Sequence, residues 1–122
     1  MSNDKPLKDL RRVERMNESL HAINSYKRSY LEASDMDDLE LLTLAKDAIN
    51  MRIQDITENS VNVSDRFKAQ FIEYLPWDDF KHARNLISHN YEGFDDAFVE
   101  GFINNIEQLI DRTEEILDFY SK

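Results

Sequence analysis

Hydrophobic residues recur every three or four positions along most of the chain, which is the spacing of α-helices with one buried face. The pattern divides into five segments, at about residues 4–32, 38–58, 64–75, 77–89 and 95–120. No segment shows the alternation of a half-buried strand. The pattern therefore predicts an all-α protein, an antiparallel up-and-down bundle of four main helices and one short helix. At this length we expect a single domain over residues 1–122.

Polar residues that interrupt the pattern predict the helix ends. Residues 59–63 form a polar loop, and Pro76 stops the third helix because proline disfavours helical geometry at the residue before it. Side chains of the type that cap helix N-termini are Ser34, Asp35 and Asp37 before the second helix, Ser64 before the third and Asp95 before the fifth.

The second helix has an unusually broad apolar stripe. Its main positions are Leu39, Leu42, Ala45, Ile49, Ile53 and Ile56. Leu41, Leu44 and Ala48 widen this stripe. A stripe of that width indicates that the second helix makes contacts on more than one side.

Composition narrows the possible chemistry. The chain has no cysteine, which excludes disulfides, thiolate zinc sites and cysteine nucleophiles. It has no apolar run of about 20 residues, and its N-terminus lacks the apolar core of a secretion signal, so we expect a soluble cytoplasmic protein. The formal charge of −10 disfavours broad nucleic-acid binding. It is compatible with a basic protein partner and with a local basic cluster at Lys81, His82, Arg84 and His89.

Residues 76–95 contain the strongest candidate chemistry. Arg84 offers a planar fork of donors that suits a phosphate, and His89 can carry or accept a proton near neutral pH. Asn85 shares a helix face with His89 and is a candidate to orient the imidazole or the phosphate. Arg84 and His89 are five residues apart, or about 140° around an ideal helix. Either the helix ends near Ser88, or the two groups meet across a dimer interface.

Each of these residues also has a purely structural interpretation. Arg84 and His89 could cap a helix C-terminus, and Asn85 could be a surface residue bonded within its own helix. Tyr91 could pack in the core with its hydroxyl at the surface. His82 and His89 share a face, but no carboxylate at helical spacing completes a ligand set, so we predict no metal.

The same segment resembles the HEPN superfamily, specifically the HepT-like toxins of HEPN–MNT toxin–antitoxin pairs. Their signature is arginine, four residues, histidine, one residue and tyrosine, which Arg84, His89 and Tyr91 match. Asn85 also matches, as do the lead-in Pro76-Trp77 and the exit at residues 93–95. The resemblance is clear from about residue 76 to the last residue and is architectural before that.

This resemblance implies a HEPN-like bundle that acts as a homodimer and cleaves RNA without a metal or other cofactor. Arg84 and His89 would be catalytic, with Asn85 in support. The partner would be an MNT-type nucleotidyltransferase antitoxin that silences the toxin by attaching AMP to Tyr91. Two alternatives remain open: a non-catalytic HEPN subunit that presents substrate to a nucleotidyltransferase, and a bundle that acts only through protein interactions.

Overall fold

The computed structural model of the chain describes residues 5–88 and 94–121, with side chains described for 5–88 and 97–121. Five helices occupy these ranges, and no strand occurs in them. The helices are α1 (Leu7–Asp35), α2 (Leu39–Val61), α3 (Asp65–Gln70), α4 (Trp77–Ser88) and α5 (Phe94–Phe119). The predicted all-α bundle with four main helices and one short helix is confirmed.

The core is built from most of the predicted apolar positions, although Leu39, which was predicted in the stripe of the second helix, is exposed. α1 packs against both α2 and α5, and its buried hydrophobic residues are Leu10, Val13, Met16, Leu20, Ile23 and Ala33. α2 contributes Ala45, Ile49, Ile53 and Ile56. α5 contributes Val99, Phe102, Ile103, Ile106, Leu109, Ile110 and Ile116. Each stripe lies on one face of its helix, so burying it against its neighbours fixes how the helices stack.

The turn between α1 and α2 is shorter than the sequence predicts. α1 continues through Ser34 and Asp35, so neither caps α2. Asp37 takes a left-handed backbone conformation with φ of 53°, which aspartate tolerates better than most residues. The cap is Asp38, whose carboxylate accepts a hydrogen bond from the backbone N–H of Leu41 at 3.1 Å. The predicted caps Ser34, Asp35 and Asp37 are therefore wrong.

α2 also extends into the predicted polar loop and ends at Val61. Asn59 and Ser60 are buried there although both are polar. The amide of Asn59 donates to the backbone carbonyl of Asp55 at 2.8 Å and its oxygen accepts from Arg12 at 3.3 Å. These hydrogen bonds offset the cost of burying the amide, which periodicity alone does not predict.

α3 begins at the predicted cap. The hydroxyl of Ser64 accepts from the N–H of Phe67 at 3.2 Å and donates to Asp9 of α1 at 2.8 Å. The helix ends at Gln70, earlier than the apolar pattern indicates, and Phe71 and Leu75 are still buried beyond its end. Their periodicity therefore marks a buried segment, with the helix covering only its first part.

α1 and α5 are also joined by polar contacts. The amide of Asn17 donates to the buried hydroxyl of Thr113 at 2.8 Å, and His21 pairs with Glu114 at 3.0 Å. Just beyond the C-terminal end of α5, the ring of Tyr120 stacks on that of Phe67 with ring centroids 6.2 Å apart. Among the described residues, no helix is both long and apolar enough to cross a membrane.

Candidate functional site

The position of the candidate site depends on how α4 packs against the rest of the protein. Trp77 is buried, and its indole N–H donates to the carbonyl of Phe71 at 3.0 Å. Phe80 stacks on Phe102 of α5 with ring centroids 5.6 Å apart, and Ala83 is buried one turn further on. These contacts fix the rotation of α4, so the residues that follow have a defined direction.

Arg84 lies on the side of α4 that faces α2. Its Nε donates to the carboxylate of Glu58 at 3.0 Å, and its Nη1 donates to the hydroxyl of Ser88 at 2.9 Å. The guanidinium is thus held from two sides, by the opposite helix and by the next turn of its own helix. Among the described residues, these bonds use two of its five N–H donors.

A cleft of about 330 Å³ lies between α2 and α4 at this point. Its wall on α4 is formed by Arg84, Ile87 and Ser88, and its wall on α2 by Gln54, Asp55, Thr57 and Glu58. The cleft opens to solvent, since the side chain of Arg84 is 38% exposed and that of Glu58 is 55% exposed. The arrangement can present the remaining N–H groups of the guanidinium to an anion while one carboxylate stays within reach as its counter-ion.

The second carboxylate of the cleft, that of Asp55, is held more firmly. Its Oδ2 accepts from the buried hydroxyl of Ser19 at 2.6 Å, and its Oδ1 accepts from the amide of Asn59 at 3.2 Å. Arg12 in turn donates to the oxygen of Asn59. This network connects α1 to the α2 wall. Both carboxylates of the cleft are exposed; that of Asp55 is held by Ser19 and Asn59, and that of Glu58 pairs with the arginine.

The structure locates only part of the predicted site. Arg84 faces the cleft, whereas Asn85 is exposed about 100° further around α4 and is not among the residues that line the cleft. His89 and Tyr91 lie outside the described residues, so their predicted convergence with Arg84 remains a prediction. The predicted basic cluster is divided: His82 lies on the other flank of α4 from Arg84.

Three residues of the cleft, Glu58, Asp55 and Ser88, were not predicted from the sequence as parts of the site. Ser88 follows Arg84 by four residues, so helical spacing alone could have paired them. Glu58 and Asp55 are two of 25 acidic residues, and only the packing of α2 on α4 selects them.

A larger cavity of about 550 Å³ lies on the other flank of α4, between α4 and α5. Its lining is mostly apolar, and the aromatic residues there are Tyr74, Phe80, Phe98 and Phe102. Two carboxylates, those of Glu73 and Asp79, also line it. The guanidinium of Arg112 also lines this cavity. The α2–α4 cleft is the better candidate for an anionic substrate because its arginine, Arg84, belongs to the motif identified in the sequence.

Within residues 5–88 and 94–121, no group of three or more histidine or acidic side chains is placed to hold a metal ion.

Comparison with known proteins agrees with the motif that contains Arg84. Neither the curated proteins nor the solved structures gave a match. The family model described as "Ribonuclease HepT-like" matches residues 16–116, which include the whole of α2, α3 and α4. The chain therefore belongs to the HepT-like ribonuclease family.

Proposed function

We propose that this chain is the toxin of a HEPN–MNT toxin–antitoxin pair, a homodimeric endoribonuclease that works without a metal. The observation that carries the proposal is the orientation of Arg84, which is held in the α2–α4 cleft by Glu58 and Ser88. Family membership supports RNA as the substrate class.

In the proposed reaction, His89 of one copy takes the proton from a ribose 2′-hydroxyl. The resulting oxygen attacks the adjacent phosphorus, and the bond from phosphorus to the 5′-oxygen breaks. His89 of the second copy protonates that leaving oxygen, so the products are a 2′,3′-cyclic phosphate and a 5′-hydroxyl. Two copies are required because one imidazole cannot be base and acid at the same time. α4 would lie near the interface between them.

Arg84 would bind the phosphate and stabilise the negative charge that builds on it in the transition state. To do so it must share its guanidinium between the phosphate and Glu58, or exchange one for the other. An exposed ion pair is weak, worth about 0.2–1 kcal/mol, so this exchange costs little. Asn85, next along α4, would orient the phosphate or the imidazole.

The test is an RNA digest in excess EDTA with analysis of the fragment ends. The proposal expects cleavage to continue in EDTA and to leave 2′,3′-cyclic phosphate. His89→Ala should lose activity by about 10²–10⁴-fold, the usual effect of removing a general acid–base group. His82→Ala is the matched control, since it changes the other histidine of the same segment, and it should retain activity. Cleavage that stops in EDTA, or that leaves 3′-hydroxyl ends, would exclude this mechanism.

Arg84→Lys separates a planar donor fork from a point charge. We expect it to lose most activity, because an ammonium group does not reproduce the fork. Arg112→Lys on α5 makes the same change outside the cleft and should not. If both lysine variants cleave RNA like the wild type, Arg84 acts only through its charge.

For the partner, we propose an MNT-type nucleotidyltransferase that attaches AMP to Tyr91. Incubation with the cognate transferase and ATP should add one adenylate by intact-mass spectrometry, and Tyr91→Phe should remain unmodified. Expression of the wild type without the partner should arrest growth, and His89→Ala should not. Equal growth of both would favour a non-catalytic subunit or a bundle that acts only through protein interactions.

A further inference from the structure

The surface of α2 carries a second apolar stripe that the fold leaves exposed. Its members are Leu41, Leu44, Ala48 and Met51, here called the α2 stripe. Leu44 is 61% exposed and Met51 is 71% exposed, while Leu41 is 40% exposed and Ala48 is half-buried. The core-facing residues of the same helix, such as Ile49 and Ile53, are fully buried. α2 therefore has two apolar faces, and the described residues of the chain cover only one of them.

The spacing of the α2 stripe is that of a helix–helix seam. Its members are separated by three, four and three residues, which is the a–d repeat of a coiled coil. Such a seam accepts the side chains of another α-helix between its own. It runs for about 15 Å, or three turns, which is short for an isolated coiled coil and sufficient as the centre of an interface between folded domains.

We propose that a second copy of this chain docks on the α2 stripe, with the two α2 helices parallel across a two-fold axis. If Leu41 and Ala48 take the a positions, Asp47 takes g and Arg52 takes the next e. Both side chains are exposed. In a parallel pair, g of one helix faces the following e of the other, so Asp47 of each copy meets Arg52 of the other. An antiparallel pair centred on the stripe would lose this pairing of Asp47 with Arg52.

The direction of the seam has a consequence for the candidate site. Asp55 follows Met51 by four residues and lines the cleft beside Arg84. A parallel seam therefore places the two clefts on the same end of the dimer, next to the axis. This inference rests on the proposed function, because a reaction that uses one imidazole from each copy requires the two clefts to lie close together.

Because the chain has no cysteine, any disulfide that a single-cysteine variant forms must come from the introduced residue, so such variants can map the seam. Met51→Cys should form an intermolecular disulfide rapidly under mild oxidation, and Leu44→Cys should do the same. Ile72→Cys is the control, because Ile72 is 62% exposed and lies outside α2. Cross-linking of Met51→Cys no faster than the control would overturn the proposal. Efficient cross-linking only in a mixture of the two α2 variants would overturn the parallel direction.

A charge placed on the stripe should dissociate the dimer. Leu44→Asp is expected to sediment as a 14.5 kDa species at tens of micromolar, with an unchanged helical circular dichroism spectrum. Leu39→Asp makes the same change on the same helix, about 140° around from Leu44, at a residue that is 73% exposed, and it should remain dimeric. A wild type that is monomeric, or a Leu44→Asp variant that stays dimeric, would refute the seam. Neither readout uses RNA, so cleavage in EDTA tests the proposed reaction separately.

Discussion

Arg84→Ala should greatly reduce RNA cleavage while lowering the stability of the fold only slightly. The substitution removes the ion pair with Glu58 and the hydrogen bond to Ser88. Both side chains of the ion pair are more than a third exposed, so solvent screening limits its contribution to about 0.2–1 kcal/mol. With the exposed serine bond, the total loss of unfolding free energy should be about 1 kcal/mol.

That loss translates into a small thermal shift. At about 2.1 cal/mol/K per residue, the entropy of unfolding of this domain is about 0.26 kcal/mol/K, so 1 kcal/mol lowers Tm by about 4 °C. The effect on catalysis should be much larger. Removing a donor that stabilises transition-state charge typically costs about 10²–10³-fold in rate. Thermal unfolding followed by circular dichroism and RNA cleavage in EDTA measure the two effects on the same sample.

Arg112→Ala is the matched control. Arg112 is 41% exposed, lies 3.7 Å from Glu115 and has its guanidinium carbon 5.9 Å from the ring centroid of Tyr74. Its replacement should lower Tm by a similar few degrees and leave RNA cleavage intact. A fall in Tm of more than about 8 °C for Arg84→Ala would mean a loss above about 2 kcal/mol and a structural clamp. Unchanged cleavage would remove Arg84 from the site.

Four further substitutions test other parts of the structure. Glu58→Gln should bind a non-cleavable 2′-O-methyl RNA more tightly than the wild type at low salt, since it removes the carboxylate that competes with phosphate, and the difference should shrink as salt rises. Ser60→Ala should raise the unfolding free energy by about 1 kcal/mol, because its buried hydroxyl has no hydrogen-bond partner within residues 5–88 and 97–121. Ser19→Ala should lower it by about 1–3 kcal/mol, because Asp55 loses its 2.6 Å donor. Gly101→Ala should stabilise the protein by about 0.5–1 kcal/mol, since a Cβ there meets no atom within 4 Å and α5 gains helix propensity.

Each of these predictions can be contradicted separately from the others. Weaker RNA binding by Glu58→Gln would mean that the carboxylate orients the guanidinium for the phosphate. The two serine variants, measured by urea unfolding, should move in opposite directions, and a loss from Ser60→Ala would show that its hydroxyl is satisfied. A destabilised Gly101→Ala would mean that another surface closes on α5 at that point.

The fold was predictable because the core is periodic. Every position that α1 buries among its hydrophobic residues from Leu10 to Ile23 recurs at three- or four-residue intervals, and burial follows directly from that spacing. The helix ends were less predictable, because several polar side chains compete for each cap. Asn59 shows the limit: its amide is polar, yet hydrogen bonds within the network around Asp55 keep it inside a helix.

The site was predictable only where the chemistry is local. Arg84 stands out because its motif is contiguous in the sequence. Its partner Glu58 lies 26 residues away, and only the packing angle between α2 and α4 brings the two together. The broad apolar surface of the second helix was visible in the sequence. That the residues of the α2 stripe are not part of the core becomes clear only when α1 and α4 are packed against α2.

The net negative charge of the chain is compatible with the proposed RNA-binding site. With a net charge of −10, the surface repels RNA at a distance, so binding has to come from close contacts that displace a counter-ion. The Arg84 guanidinium already carries such a counter-ion in Glu58, and the nearby Asp55 carboxylate is held in place by Ser19. In the candidate cleft, a phosphate can bind by taking over the guanidinium donors from Glu58. In the proposed dimer this condition is met at two adjacent clefts, so a strand that engages both has a strong advantage over one that touches a single cleft. Under the proposed function, weak binding to RNA in general and a preference for strands that span both clefts would follow from this distribution of charge.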